Sequence, residues 1–473
     1  MKNKEFRHYA HLMVDWMADY FEQIEDYPVK AQVQPREIYN QLPAQAPIEG
    51  EAMSAIFKDF QDIILPGITH WQHPNFFAYF PANTSFPSIL GEMLTATLGA
   101  QCMIWDTSPA AAELEERVMN WLRDLMGIPD NFEGVIQDTA STATLTAILS
   151  AREKATNFDS NQNGITANNL RVYCSTETHS SIEKAVKIAG LGKKNLVKIP
   201  VDDQLLMRGD ALEQAIQEDI NNGLHPTCIV AAIGTTGTTA IDPLQEIAAI
   251  SQKYAIWLHV DAAYAGSALI LPEFQWMIQG IEQVDSFVFN PHKWLLTNFD
   301  CSVYFIKDQE CLLRTFEILP EYLKTTNRGI VNDYRDWGVP LGRRFRALKL
   351  WFVLRSYGVK GLQKQLRTHI DLAQELTSWI QTSTDFEILA PTSLNLVCFR
   401  YHPTPINDAA TLNNINETIL QHLNKTGLLY LTHTKIKGQY AIRLVIGQTF
   451  VKAHHIKHAW QQIQEIARKT ITA

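Results

Sequence analysis

The chain has 473 residues, too many for one ordinary core, so two or three domains or subdomains are expected. Hydrophobic content of 46% with 19% charge is that of a soluble globular protein. A net charge of −9 without any dense basic block argues against nucleic acid as the main partner. No apolar run is long enough to cross a bilayer, and the charged opening MKNKEFR runs into an amphipathic segment unlike a signal peptide. Six cysteines (Cys102, Cys174, Cys228, Cys301, Cys311, Cys398) are scattered, with no CxxC and no His/Cys cluster at metal spacing. Reduced buried thiols, a cytoplasmic location and no metal are the expectation.

In chain order, Phe6, Tyr9, Met13, Trp16, Met17, Tyr20 and Ile24 make one helical stripe, whose aromatic content calls for a covering surface such as a partner subunit. The Pro-containing stretch 42–47 reads as a linker or arm. Residues 71–81 are too aromatic and Pro-punctuated for a helix; they line a pocket for a ring or fill the core. Ser108-Pro109 starts a helix, with the serine hydroxyl as N-cap, Glu113, Glu115 and Glu116 near its positive end, and Leu114, Val118, Trp121, Leu122 and Leu125 as its buried stripe. Gly127 and Pro129 stop it.

A βαβ rhythm follows. Strand-like runs at 134–137, 170–174, 196–201, 228–234, 256–261 and 286–290 alternate with helical patterns at 181–190, 210–220 and 244–254, and 302–307 is a further strand. Such alternation implies a mostly parallel sheet flanked by helices. Residues 322–337 are polar, basic and aperiodic, a candidate mobile loop. Helices at 345–357, 361–382, 409–423 and 454–469, interleaved with strands at 386–389, 394–401 and 440–447, form a smaller α+β C-terminal domain. The expected division is an N-terminal helical arm, 1–85, a large α/β domain, 86–345, and the small domain, 346–473.

Several candidate groups sit just past separate strands. Gln137–Thr142 is a small hydroxylated turn leading into a helix; such a turn is either an ordinary N-cap or an anion site made by backbone N–H groups and the helix dipole. No GxGxxG or GxxxxGK[ST] is present, so nucleotide loops are not indicated. His179 follows the second strand, and a Gly/Thr turn at 233–238 follows the fourth. Asp261 ends the fifth, and Lys293 follows the sixth. Asp261 and Lys293 alone read either as a buried ion pair or as two hands on one cofactor. A carboxylate facing a pyridine nitrogen and an amine forming a Schiff base would suit pyridoxal phosphate. Open α/β sheets bind ligands at the C-terminal ends of their strands. A phosphate loop, a histidine able to stack on a ring, an acid and a lysine in one such series shift the balance to that cofactor.

The runs HPNFFAYFP from His73, SPAAAELE from Ser108, WLHVDAAYAGSA from Trp257, NPHKWLL from Asn290, DYRDW from Asp333 and LGRRFRALKLWF from Leu341 resemble the group II pyridoxal-phosphate decarboxylases, on the aromatic amino acid side of that family. The likeness covers about residues 5–470. It implies the fold-type I, aspartate aminotransferase-like architecture and a homodimer with active sites shared at the interface. By position, Lys293 matches the Schiff-base lysine, Asp261 the partner of the ring nitrogen, and His179 the histidine stacked on the ring. Ala140, Ser141, Asn290 and His292 match phosphate-side positions, while Thr236 and Ala263 match positions beside the ring.

Tyr334, on the expected loop, matches the tyrosine that returns a proton to Cα; otherwise it is an exposed loop aromatic. Related aldehyde synthases carry phenylalanine there, so a tyrosine favours simple decarboxylation. Trp71, Tyr79, Phe80 and Pro81 match the pocket for the aromatic side chain. Gly342 matches the form with room for an indole or catechol. Gln101 and Met103 depart from the Ile and Phe expected in the wall supplied by the partner, and Ala82 replaces a threonine. The resemblance therefore implies decarboxylation of tryptophan, 5-hydroxytryptophan, DOPA, phenylalanine or tyrosine to the amine, with aromatic aldehyde synthesis as the alternative.

Overall fold

The computed structural model describes residues 1–166, 168–318, 330–404 and 406–472. They group into two compact units, one built from Met1–Pro81, Leu372–Leu389 and Val397–Ala473, the other from Ala82–Asp371 and Ala390–Leu396. Residues of the expected N-terminal arm thus share a unit with most of the expected C-terminal domain, while 346–371 stay with the large α/β unit. Of the expected loop 322–337, residues 322–329 lie outside the described residues.

The larger unit is built on seven strands: β1 (Glu133–Gln137), β2 (Leu170–Ser175), β3 (Leu196–Ile199), β4 (His225–Ala232), β5 (Trp257–Asp261), β6 (Ser286–Phe289) and β7 (Ser302–Ile306). Their order is β1-β7-β6-β5-β4-β2-β3. Strands β6, β5, β4, β2 and β3 run parallel, whereas β7 is antiparallel to both of its neighbours. β1 therefore points the same way as β6, and the C-terminal ends of six strands line one edge. Every residue of β6 and β7 is buried, which is why these strands read as continuous apolar runs instead of alternating ones. Val172, Cys174, Val230 and Val288 pack with Ala143, Ala147, Ile148, Ile182 and Val186 of the helices Ala140–Ala155 and Ser181–Ile188.

The helix Pro109–Met126 begins and ends at the expected residues, Gly127 closing it with φ 73°. Two details differ. Ser108 holds the N-cap position without a side-chain hydrogen bond, and the buried face is Ala111, Ala112, Glu115, Val118, Met119, Leu122 and Met126. Trp121 is exposed, and Leu114 and Leu125 are only half-buried, because the apolar stripe accommodates an acid, Glu115, that has a buried partner. The two helices expected at 345–357 and 361–382 form one span, Arg346–Thr382, broken where Gly358 takes φ 62°.

In the smaller unit, β8 (Phe386–Ile388), β9 (Leu396–Tyr401), β10 (Thr432–Ile436) and β11 (Gln439–Val445) lie in the order β10-β11-β9-β8. Strand β10 is additional to the expected set. Ile419, Leu423, Ile442, Leu444, Ile456 and Trp460 form its core with the helices Ala409–Lys425 and Ala453–Thr472. In the leading helix, Asn3–Glu22, no residue is buried; Trp16 meets Phe57 and Phe60, while Phe6 stays 62% exposed. Among the described residues no helix is long and apolar enough to cross a membrane.

Candidate active site

The sheet edge brings Asp261, Lys293 and His179 into one electrostatic group. Asp261 is the last residue of β5. Its backbone carbonyl accepts the Ile233 N–H past β4 (2.9 Å), and its Oδ1 accepts the Ala263 N–H (3.1 Å). The Ala262 N–H donates to Val288 on β6 (2.9 Å), the Asn290 N–H to the Ala263 carbonyl (3.0 Å), and the Lys293 N–H to the Asn290 carbonyl (3.0 Å). A continuous set of backbone hydrogen bonds thus ties the ends of β4, β5 and β6 to the turn that carries the lysine. Asn83 completes the clamp: its N–H donates to the His292 carbonyl (3.0 Å) and its Nδ2 to the Lys293 carbonyl (2.7 Å). Sequence reasoning missed Asn83, which stands 210 positions away, just past the run that ends at Pro81.

Burial lowers the Lys293 ammonium pKa, and the neighbouring Asp261 carboxylate opposes that shift. A larger fraction of neutral amine, the nucleophilic form, follows. His179 is exposed at the lip. Desolvation and then the Lys293 charge lower its pKa, with Asp261 opposing, and its Nδ1 lies 2.8 Å from Ser181 Oγ. His292 is buried and pushed down to about 3 by desolvation and then by Lys293; its Nδ1 accepts the Cys301 N–H (3.0 Å). Ser302 Oγ donates to the Asn290 side-chain oxygen (2.6 Å).

Behind Asp261, His259 is fully buried and lowered to about 4, mainly by desolvation. Its ring joins Thr144 Oγ1 (3.2 Å) to Ser286 Oγ (3.0 Å), which also accepts from Trp257 Nε1 (3.0 Å). On the other side of the lysine turn, Trp294 stacks on Tyr264 (5.1 Å) and donates to His369 Nδ1 (2.9 Å), while Asn395 donates to the Tyr264 hydroxyl (2.6 Å). Trp257, His259, Tyr264 and Trp294 fall inside the runs WLHVDAAYAGSA and NPHKWLL, which do not reveal their supporting role, while Thr144, Ser286, His369 and Asn395 fall outside every such run. The one available signal is parity, since His259 sits two residues before Asp261 on a strand buried on both faces.

Thr139 caps the helix Ala140–Ala155, accepting the Thr142 N–H on its hydroxyl (3.4 Å), so Ala140 and Ser141 occupy the first two helical positions. Ser141 and Thr236 are exposed, and Ala140 and Ala263 half-buried, on the ends of their own elements. Gly234 turns the chain with φ 84°, and a Cβ there would stand 2.5 Å from that of Ala265.

The wall residues assemble separately. Gln101 Oε1 accepts the Arg343 N–H (2.6 Å), beside Gly342, where an added Cβ would lie 3.4 Å from Gln101 Nε2. The Met103 carbonyl accepts the Arg335 N–H (2.8 Å), and Asp333 accepts the Trp105 N–H (2.9 Å). Tyr334, held between them, is not an exposed loop aromatic. It is 2% exposed, packs on Trp337 (5.2 Å) and lies under the Arg343 guanidinium (4.8 Å). Burial and the charge of Glu115 hold its phenol protonated well above the usual range. Arg343 is itself fixed by buried Glu115 (2.5 Å) and by the Ile136 carbonyl (2.9 Å).

Trp71, Tyr79, Phe80 and Pro81 belong to the smaller unit. There Phe76, Phe77 and Ala78 fill core, while Trp71 stacks on Tyr79 (5.9 Å) and the Tyr79 hydroxyl lies 3.2 Å from that of Tyr430.

The donor set fits pyridoxal phosphate. A half-buried amine of lowered pKa suits its aldehyde, and a carboxylate at a strand end suits its ring nitrogen. An exposed imidazole offers the ring a flat surface, and a capped helix N-terminus offers its phosphate free N–H groups. An open, mostly parallel α/β sheet with this set along its C-terminal edge defines a fold-type I pyridoxal-phosphate enzyme. Residues 35–402 match the model of the pyridoxal-dependent decarboxylase conserved domain, and the chain belongs to that family. It is 43% identical over 477 residues to the phenylacetaldehyde synthase of Arabidopsis thaliana, covering 99% of this chain and 96% of that one. It is 41% identical over 483 residues to tyrosine decarboxylase 4 of Petroselinum crispum, at 99% and 94% coverage. An Oryza sativa TDC solved with PLP and tryptamine superposes with a TM-score of 0.96 at 34% identity, covering 99% of each chain.

Proposed function

We propose that this chain is a carboxy-lyase that uses pyridoxal phosphate to remove the carboxylate of an aromatic L-amino acid, releasing CO2 and the amine. The candidates are tryptophan, 5-hydroxytryptophan, DOPA, phenylalanine and tyrosine. The observation that carries this reading is the grouping of Lys293, Asp261 and His179 at one strand edge, inside a chain whose family is a decarboxylase family. When bound, the cofactor supplies an electron sink for the pair left at Cα.

The protein's share follows from its residues. Lys293, partly neutral, would hold the cofactor and yield its place to the substrate amine. Asp261 would keep a proton on the ring nitrogen, with the Ala263 N–H fixing its direction. His179 would cover the ring face and lie beside the substrate carboxylate. Ala140, Ser141, Asn290 and His292 would hold the phosphate, and Thr236 and Ala263 would flank the ring. Gln101, Met103 and Gly342, with Trp71, Tyr79, Phe80 and Pro81, would receive the aromatic side chain. Tyr334 would return a proton to Cα, a task suited to a phenol that stays protonated.

We take the working form to be a homodimer in the cytoplasm, with the three sequence segments 1–85, 86–345 and 346–473 as its functional parts and loop 322–337 as its moving part. The uncovered Phe6, Leu12 and Val14 of the leading helix favour a partner subunit, and six free, buried cysteines favour a reducing compartment. Neither nucleic acid nor membrane enters this reading, and no metal is required.

A second reading has its own support, since one 43% identical relative is a phenylacetaldehyde synthase. Tyr334 favours the amine. Incubating the purified holoenzyme with each candidate substrate and quantifying amine, aldehyde and peroxide separates the two: amine with CO2 carries the decarboxylase reading, and stoichiometric aldehyde with peroxide overturns it.

A further inference from the structure

At the opposite edge of the sheet from Asp261 and Lys293, the N-terminal ends of β4, β5 and β6 frame a cavity of about 330 Å³. For the five residues of β5 at ~3.3 Å each, it lies roughly 15 Å from the cofactor edge. Lys154, Pro226, Ser251, Gln252, Trp257 and Asp285 are among its walls. None of them takes part in the site described above, apart from the buried indole N–H of Trp257.

Three observations define what the cavity accepts. The Trp257 ring already receives a cation, the Lys154 ammonium, 5.3 Å from its centroid. Asp285 offers a carboxylate 3.9 Å from that ammonium, with one of its oxygens held by the Leu258 N–H (2.8 Å). Ser251 lines the cavity with 0% exposure, and its hydroxyl has no hydrogen-bond partner among the described residues. An aromatic face, a carboxylate and an unused hydroxyl together match a small organic ammonium ion, with N–H donors for oxygen and charge for the π face.

Lys154 does not block such a ligand. Its nearer acid is Asp308, at 3.4 Å, which is not a wall of the cavity. The lysine is half-exposed on a flexible stem, so it can leave the indole and Asp285 while keeping its closer partner. We propose that this cavity is a binding site for a small primary ammonium ion, with Lys154 as a tethered occupant of the same seat.

The test uses n-butylammonium, titrated calorimetrically into the holoenzyme while the visible absorption of the cofactor is followed, so that exchange of the amine onto the cofactor is told apart from binding in the cavity. One equivalent per chain is expected. Lys154→Ala, a change at a half-exposed position, vacates the seat and raises affinity roughly two- to fivefold. Lys187→Ala, which removes the same charge from an exposed helix position elsewhere, leaves it unchanged. Ser251→Val removes the acceptor and lowers affinity about fivefold. Absence of saturable binding, or binding that Lys154→Ala and Ser251→Val both leave unaltered, overturns the proposal. Neither result bears on the decarboxylase reading.

Discussion

Glu115→Gln isolates the support of the substrate wall from the chemistry at Lys293. Glu115 and Arg343 are 3% and 6% exposed and 2.5 Å apart. Glu115 also accepts the Ile136 N–H (2.8 Å). A glutamine retains the size and one acceptor oxygen, so the change leaves a buried guanidinium without its counter-charge. Breaking a buried pair from one side costs about 3–5 kcal/mol, a factor of roughly 150 to 5,000 in the unfolding equilibrium. The effect reaches the site because the Arg343 N–H holds Gln101 and the Arg343 carbonyl accepts the Cys102 N–H (3.0 Å). Urea unfolding followed by fluorescence should show the loss, and steady-state kinetics should show KM rising more than kcat falls. The double variant Glu115→Gln/Arg343→Met should recover part of the stability, since it removes the stranded charge. A single variant as stable as the parent, with unchanged KM, would refute the reasoning.

Other outcomes follow from the same geometry. His73, His259 and His292 are held at about 4, 4 and 3, well below the usual 6.5, chiefly by burial. The unfolded chain therefore takes up protons that the fold refuses, so stability falls as pH drops from 6.5 to about 3 and the loss levels off below that. Urea midpoints across this range should show it, with a shallower slope in His259→Gln; a flat profile contradicts it. Gly234→Ala forces a Cβ to 2.5 Å from Ala265 at φ 84°, and should weaken cofactor retention on dialysis; full retention would show that the turn tolerates the change. Tyr334→Phe should shift product from amine to aldehyde, and an unchanged amine yield would remove the tyrosine from the proton transfer.

Much of the sheet was legible because strands buried on both faces are written in apolar residues, and the acid and lysine that end them stand out against that background. Strand order was less so: β7 enters between β1 and β6 by long-range pairing that no local pattern records. Strand β10, Thr-His-Thr-Lys-Ile, was missed because alternating polar residues with only Ile436 buried look like loop. The buried face of Pro109–Met126 was misplaced because Glu115 was read as an end charge, although an acid one turn from Ala111 and Val118 can be buried when an arginine far along the chain meets it. The supports of the lysine turn, Asn83, His369 and Asn395, come from distant segments joined by single hydrogen bonds, which leave no spacing to find.

The central claim is that Lys293 holds the cofactor for loss of CO2 from an aromatic amino acid. The direct measurement is CO2 release by the holoenzyme and by Lys293→Ala across the five candidate substrates, with the visible absorption of each protein recorded. The account predicts release with at least one substrate for the parent, and for Lys293→Ala neither turnover nor the visible band of covalently held cofactor. Retained turnover in Lys293→Ala, or no CO2 from any of the five with the parent, would contradict it.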